Sequence, residues 1–369
     1  MTPISIPASP RLISLDALRG FTIAAMIMVN SPGSWSHIYA PLAHKAWNGI
    51  TPTDLIFPFF IFVVGVSIAL AYGKKLKEGK PAADVYRKIL WRSLKIFAVG
   101  VFLNLYPSFD FADVRIAGVL QRIAIVFMAC AMLFLTTGFK KQAIAGTLIL
   151  IAYWISMTFI TTPGYEKPML EPGINLAAWI DSFMLPGRMW QQTWDPEGLF
   201  STLPAIASGI TGLLAGALLN SPKTIEKKIS ILLLAGILSL LSGYVWSIHF
   251  PLNKNLWTSS YVLVSSGYAA ISLAVFMYLL DKRGNQKIAR PFVIFGSNAI
   301  TVYVLAWLAD YLFSGINFGG SNFKEHFMIF FTGRGFEPKL SSMMYALFYT
   351  ALMFIPAWML FRKKIFIKL

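Results

Sequence analysis

The chain has 369 residues, 56% of them hydrophobic and 13% charged, about half the roughly 25% charge of a soluble domain, and its mean hydropathy is +0.63. That polar surface is too small to clothe a water-soluble globule, so the sequence reads as an all-α, polytopic integral membrane protein. The formal charge of +16 does not point to nucleic acid, because no basic cluster gathers on an aqueous segment.

The N-terminal stretch MTPISIPASPRLISLDALRG lacks a basic leading region, and Asp16 and Arg19 interrupt the apolar run behind it. The first hydrophobic segment is therefore expected to stay as a span rather than be cleaved as a signal peptide. Windows of about 20 apolar residues, the length that crosses the hydrocarbon core, fall at 12–31, 51–72, 88–107, 114–136, 141–160, 200–219, 228–248, 257–280, 291–313 and 342–361. These predict about ten transmembrane helices in a single domain over 1–369. The third is the least apolar, since Arg92 and Lys95 lie inside it. The only cysteine, Cys130, sits in an apolar run, so no intramolecular disulfide can form.

Lys and Arg outside the spans gather mostly at the two termini and in loops following even-numbered spans. The basic side faces the cytoplasm, which predicts cytoplasmic termini and external loops carrying His44 and the long connection 161–199. Most of the net charge is then topology and attraction to anionic lipid.

Several polar residues stand against this apolar background. In HKAWNGITPTDLIFPFFIFVVG, His44 lies ten residues before Asp54 at the mouth of the second span. If Thr51 caps that helix, Pro52 takes N1 and Asp54 takes N3, an ordinary helix start. The same pair also suits a histidine general base steadied by a carboxylate. Asn30, in MVNSPGSW, either closes the first helix or donates to a developing oxyanion. Arg122, in GVLQRIA, is a buried cation that pairs with Asp16, Asp54 or Asp310, or else forks a phosphate or carboxylate. TWDPEG and HFPLNKNLW set aromatic residues beside carboxylates and amides, as a sugar site does and as an interfacial aromatic belt also does. Asn298, in GSNAITVYVLA, is polar within the ninth span and suits interhelical hydrogen bonding. No Walker A loop, dinucleotide fingerprint or CxxC or HExxH spacing occurs, and no metal is expected.

The ordered set SLDALRGFTIAAMIMVN, HKAWNGITPTDLIFPFFIFVVG, GVLQRIA, WDPEG, NKNLW, GSNAITVYV and RKKIFIKL resembles the heparan-α-glucosaminide N-acetyltransferase family of transmembrane acyltransferases. The resemblance implies acetyl transfer from cytosolic acetyl-CoA to the amino group of a terminal glucosamine or related amino sugar across the membrane. It implies catalytic roles for His44, Asp54 and Asn30, coenzyme contacts from Arg122, Gln121 and Asn298, and acceptor contacts from Trp47, Asn48, Asp195, Glu197, Asn255 and Trp257. Direct attack and a transient acetyl-imidazole on His44 both remain open. Lysosomal members carry a luminal N-terminal domain and a leading span that this sequence lacks, so a bacterial plasma or inner membrane is expected. A homodimer is expected by analogy alone. The alternative is an inner-membrane permease for amino sugars or N-acetylglucosamine using His44 and Asp54 as a proton relay. Against it stand the lack of an inverted repeat and of matched broken helices, although Pro58 and Gly65 interrupt the second span.

Overall fold

Thirteen helices and one small hairpin make up the computed structural model, which describes residues 12–77, 79 and 83–367. The N-terminal stretch up to residue 11, part of the basic loop after the second span and the last two residues lie outside the described residues. In chain order the helices are α1 (Ile13–Asn30), α2 (Ile56–Lys77), α3 (Ala83–Leu105), α4 (Val119–Thr136), α5 (Phe139–Phe159), α6 (Leu176–Met184) and α7 (Thr202–Leu219). They continue with α8 (Ile225–Trp246), α9 (Ser259–Phe276), α10 (Gln286–Ser297) and α11 (Ala299–Ser314). A two-residue hairpin, β1 (Asn317–Phe318) with β2 (Ser321–Asn322), then leads to α12 (Phe323–Thr332) and α13 (Pro338–Arg362). The fold is all-α and polytopic.

Among the described residues, eight helices are long and apolar enough to cross a membrane, or up to nine if α10 and α11, bent by 72°, form one span. Ten were expected, and the difference is α3. At 23 residues it could span, but Arg87, Lys88, Arg92 and Lys95 make it too charged to qualify on apolarity. Its buried face runs through Val85, Ile89, Ser93, Ile96, Gly100 and Leu103, the spacing of one helical stripe. Arg92 lies over the Phe127 ring at 4.8 Å.

Backbone ties reveal two ends. At one end Gly33 donates to the Ser342 carbonyl (3.1 Å) and the Tyr261 hydroxyl donates to that of Asp54 (2.5 Å). At the other, Ser14 donates to the Asp281 carboxylate and the Asn298 amide donates to the Ile365 carbonyl (2.9 Å). The His44 loop, the start of α9 and the residues before α7 all share the first end.

α7 is central: 67% of its window is buried, against 28% for α5, 22% for α8 and 28% for α13. Leu234, Leu238, Leu241 and Val245 form an exposed apolar stripe on α8, which suits lipid. Close approach of α2 and α7 depends on two glycines. A Cβ at Gly65 would lie 2.0 Å from the Gly209 carbonyl oxygen, and one at Gly212 would lie 2.1 Å from that of Phe62. Small residues are the membrane's means of bringing backbones together. α2 itself is unbroken, with Pro58 in its first turn, where the missing N–H costs nothing. The one bent pair among the described residues is α10 with α11 at Asn298.

Candidate active site

Pro52–Leu55 forms a 3-10 turn that runs straight into α2, with Thr51 as its N-cap and Asp54 at N3. The Asp54 carboxylate is 1% exposed and divides its two oxygens between two tasks. Oδ2 accepts from the backbone amides of Lys45 (3.1 Å) and Thr51 (3.0 Å) and from the Thr51 hydroxyl (3.1 Å). Oδ1 faces Nδ1 of His44 at 2.8 Å. The helix-start reading and the base-and-carboxylate reading therefore both hold, one on each oxygen. The His44 side chain is 38% exposed, so a partner molecule can reach it.

The His44 loop is zipped to the segment between α8 and α9. Gly49 donates to the Leu252 carbonyl (2.7 Å), Asn253 to the Asn48 side-chain oxygen (3.1 Å) and Asn255 to the Ala46 carbonyl (3.3 Å). This zipper carries Lys254 onto the imidazole. Its Nζ stands 3.0 Å from Nδ1, 3.4 Å from Nε2 and 3.7 Å from Asp54 Oδ1. Burial lowers the Lys254 pKa from the ordinary lysine value, against the opposing pull of Asp54 and Glu197.

Trp257 closes the segment in a left-handed backbone conformation (φ 53°), a strain of about 1–3 kcal/mol for a bulky residue. Packing holds it there. Its indole donates to Ser208 (3.1 Å), its ring meets Phe57 and Tyr261 edge-on, and the Arg122 guanidinium lies over it at 4.9 Å. Arg122 is 1% exposed. It donates to the Gly198 carbonyl (3.1 Å), Thr202 (3.3 Å) and Ser201, and Nη1 has no partner among the described residues. It forms no ion pair there with Asp16, Asp54 or Asp310. Asp16 instead pairs with Arg19 at 3.1 Å.

A second arginine organises TWDPEG. Arg115 grips both oxygens of Asp195 (2.7 and 2.6 Å) and reaches Glu197 (2.6 Å). Burial works to lower the Arg115 pKa, but the two carboxylates outweigh it and hold it above the usual guanidinium value. Burial likewise pushes Asp195 up, yet Arg115 keeps it below the ordinary carboxylate range. Burial raises Asp181, on α6, to about 6 despite the Phe200 amide that donates to it (3.0 Å). Trp47 donates to the Leu170 carbonyl (3.0 Å) and packs edge-on against Trp194 at 4.9 Å. These two tryptophans, with Asp181, Asp195 and Asn255, line a narrow open cleft of about 10 Å³, room for about one water.

The fold thus brings His44, Trp47, Asn48, Asp54, Arg122, Asp195, Glu197, Asn255 and Trp257 to one end. Gln121 is buried with Nε2 unpartnered among the described residues, and its amide packs against Gly100 and Gly118. Asn30 is exposed at the end of α1 and has no recorded hydrogen bond to His44 or Asp54. Asn298 is at the opposite end, where its amide holds the tail through the Ile365 carbonyl and the Ile367 amide (both 2.9 Å). Lys254, Arg115 and Asp181 were not singled out from sequence. Lys254 lies 210 positions from His44, and only its place in NKNLW hinted at a role.

Residues 11–174 match the family model described as heparan-alpha-glucosaminide N-acetyltransferase, catalytic. The human heparan-alpha-glucosaminide N-acetyltransferase is 28% identical across 98% of this chain and 60% of its own length. The mouse protein of that name is 29% identical across 80% of this chain and 53% of its own. The chain is similar to these proteins along most of its length, as a distant relative. It spans little more than half the length of these relatives, and its His44–Asp54 pair lies inside the segment that the family model matches.

Proposed function

We propose that this chain is a transmembrane N-acetyltransferase that moves an acetyl group from cytosolic acetyl-CoA to the amino group of an external glucosamine or related amino sugar. The observation that carries this reading is the His44 Nδ1–Asp54 Oδ1 contact of 2.8 Å in an accessible loop. A proton held on Nδ1 and donated to Asp54 leaves the basic lone pair on Nε2. The amine nitrogen then attacks the thioester carbonyl as Nε2 takes its proton, and Asp54 steadies the imidazolium. Collapse restores the carbonyl, breaks the C–S bond and returns the proton to the departing thiolate. Asn30 offers an amide to the oxyanion from the end of α1.

Arg122 and Gln121 hold buried donors without protein partners among the described residues, which supports their assignment to the acetyl donor. Trp47 and Asn255, with the Trp194 ring, wall the acceptor cleft. Asp195 and Glu197 shape it through Arg115. Both termini face the cytoplasm of a bacterial inner membrane, and His44 faces outward, because the basic loops gather at the other end.

The test is purified protein in detergent with acetyl-labelled acetyl-CoA and glucosamine, comparing wild type with His44→Ala. Labelled N-acetylglucosamine from wild type alone is the expected result. Equal product from both would discard His44 as the base. No product with any amino sugar, together with sugar uptake into proteoliposomes, would instead support a permease.

A further inference from the structure

We propose that Lys254 is a catalytic residue of this reaction, its ammonium donating to the oxyanion that forms on the acyl carbonyl while His44 takes the amine proton. The inference rests on the acetyl-transfer reading above and adds to it a group on a segment 210 positions away from His44.

Lys254 forms an ion pair with the buried Asp54 carboxylate, and its position also aims its protons at the imidazole. The contact with Asp54 is 3.7 Å, too long for a hydrogen bond. Nδ1 of His44 is 3.0 Å from Nζ but also 2.8 Å from Asp54 Oδ1. A ring nitrogen makes one in-plane hydrogen bond, either as donor or as acceptor, so these two contacts exclude each other. When Nδ1 donates to Asp54, Lys254 has no acceptor on that nitrogen. Its ammonium then donates to Nε2, 3.4 Å away, and gives up that acceptor when the reacting amine comes to the same nitrogen.

An amine giving its proton to Nε2 sits within about 3 Å of it, and the carbonyl it attacks is one bond further on. The oxyanion therefore develops within reach of Nζ. Lys254 keeps its protons throughout, so the bond changes are those already given. Asp54 stands close enough to balance two cations, imidazolium and ammonium, as the charge moves. Electrostatic donors placed where charge develops are usually the largest single contribution to such a reaction, and a partly buried ammonium is a strong one.

The segment is built to fix this position. The hydrogen-bonded zipper to residues 46–49 flanks Lys254 on both sides, through the Leu252 carbonyl and the Asn253 and Asn255 side chains. Trp257 is locked three residues later by Ser208, Phe57 and Arg122.

The experiment measures transfer from labelled acetyl-CoA to glucosamine by detergent-purified wild type, Lys254→Met and Lys254→Cys. Lys254→Met should lose about 10²–10³-fold in kcat with the acceptor KM little changed. Lys254→Cys should be as weak, and alkylation with 2-bromoethylamine, which rebuilds an amine of lysine length, should restore most of the loss. Iodoacetamide, which adds a neutral amide, should not. The native Cys130 is buried, and wild type treated with each reagent is the control. A kcat for Lys254→Met within tenfold of wild type would overturn the proposal, as would failure of 2-bromoethylamine to raise Lys254→Cys above its iodoacetamide-treated counterpart. Absence of transfer by wild type would overturn the acetyltransferase reading itself, and this one with it.

Discussion

Asp54 serves as both helix cap and histidine partner because its two oxygens point at different groups, Oδ2 at Lys45 and Thr51 and Oδ1 at His44. Asp54→Asn replaces one acceptor with a donor and cannot satisfy both sets. Transfer should fall by about 10²–10⁴-fold, and thermal unfolding should show a loss of about 1–3 kcal/mol from unpaired amides. Full activity in that variant would remove Asp54 from the mechanism. Asp181 gives a pH signature of its own. Its pKa is raised from the ordinary 3.8 to about 6, so its protonated form favours the folded state. That contribution is complete below about pH 4 and is lost as pH rises through about 6. Asp181→Asn should therefore gain on wild type across that window, by an amount on the order of 1–3 kcal/mol. Parallel stability curves for the two proteins would contradict the shift. The contact between His44 and Asp54 could be expected from sequence because a helix start lies between them, though the family resemblance pointed to the pair more strongly than the spacing did. That of Lys254 could not, since a hydrogen-bonded zipper between distant loops leaves no periodicity to read.

At the level of elements, apolar windows located the long helices well, because a span must satisfy its backbone internally and keep apolar faces. They were less informative at α3, whose four basic residues sit on a helix that still buries a regular stripe. They missed the bend at Asn298, which follows the Gly296–Ser297 pair and lies where the Asn298 amide also holds the C-terminal tail. Gly65 illustrates the same limit. In sequence it interrupts a span, whereas in the structure it allows α7 to lie against α2. Gly65→Val should cost at least 1–3 kcal/mol, the usual cost of overpacking, because the obstructing atom at 2.0 Å is backbone. A lowered unfolding midpoint in detergent would show this, and an unchanged midpoint would argue against the α2–α7 contact.

For the whole molecule, the arrangement separates two ends by the length of its helices. The candidate site occupies one end, while the Asn298–tail contact and most basic loops occupy the other. The sequence expectation of a basic cytoplasmic side rests on charge alone, whereas the gathering of His44, Arg122, TWDPEG and NKNLW at one end required the fold. A cysteine replacing Glu166, exposed in the long connection, should react with a membrane-impermeant thiol reagent in intact cells. One replacing Lys223, exposed after α7, should react only after permeabilisation, and the reverse pattern would invert the proposed orientation. The most direct test of the whole account uses proteoliposomes in which only inward-facing or only outward-facing molecules are left active by such labelling. Acetyl-labelled acetyl-CoA is supplied on the basic-loop side and glucosamine on the His44 side. The account predicts labelled N-acetylglucosamine on the His44 side, abolished by His44→Ala. Product formed only when both substrates share the basic-loop side would contradict it.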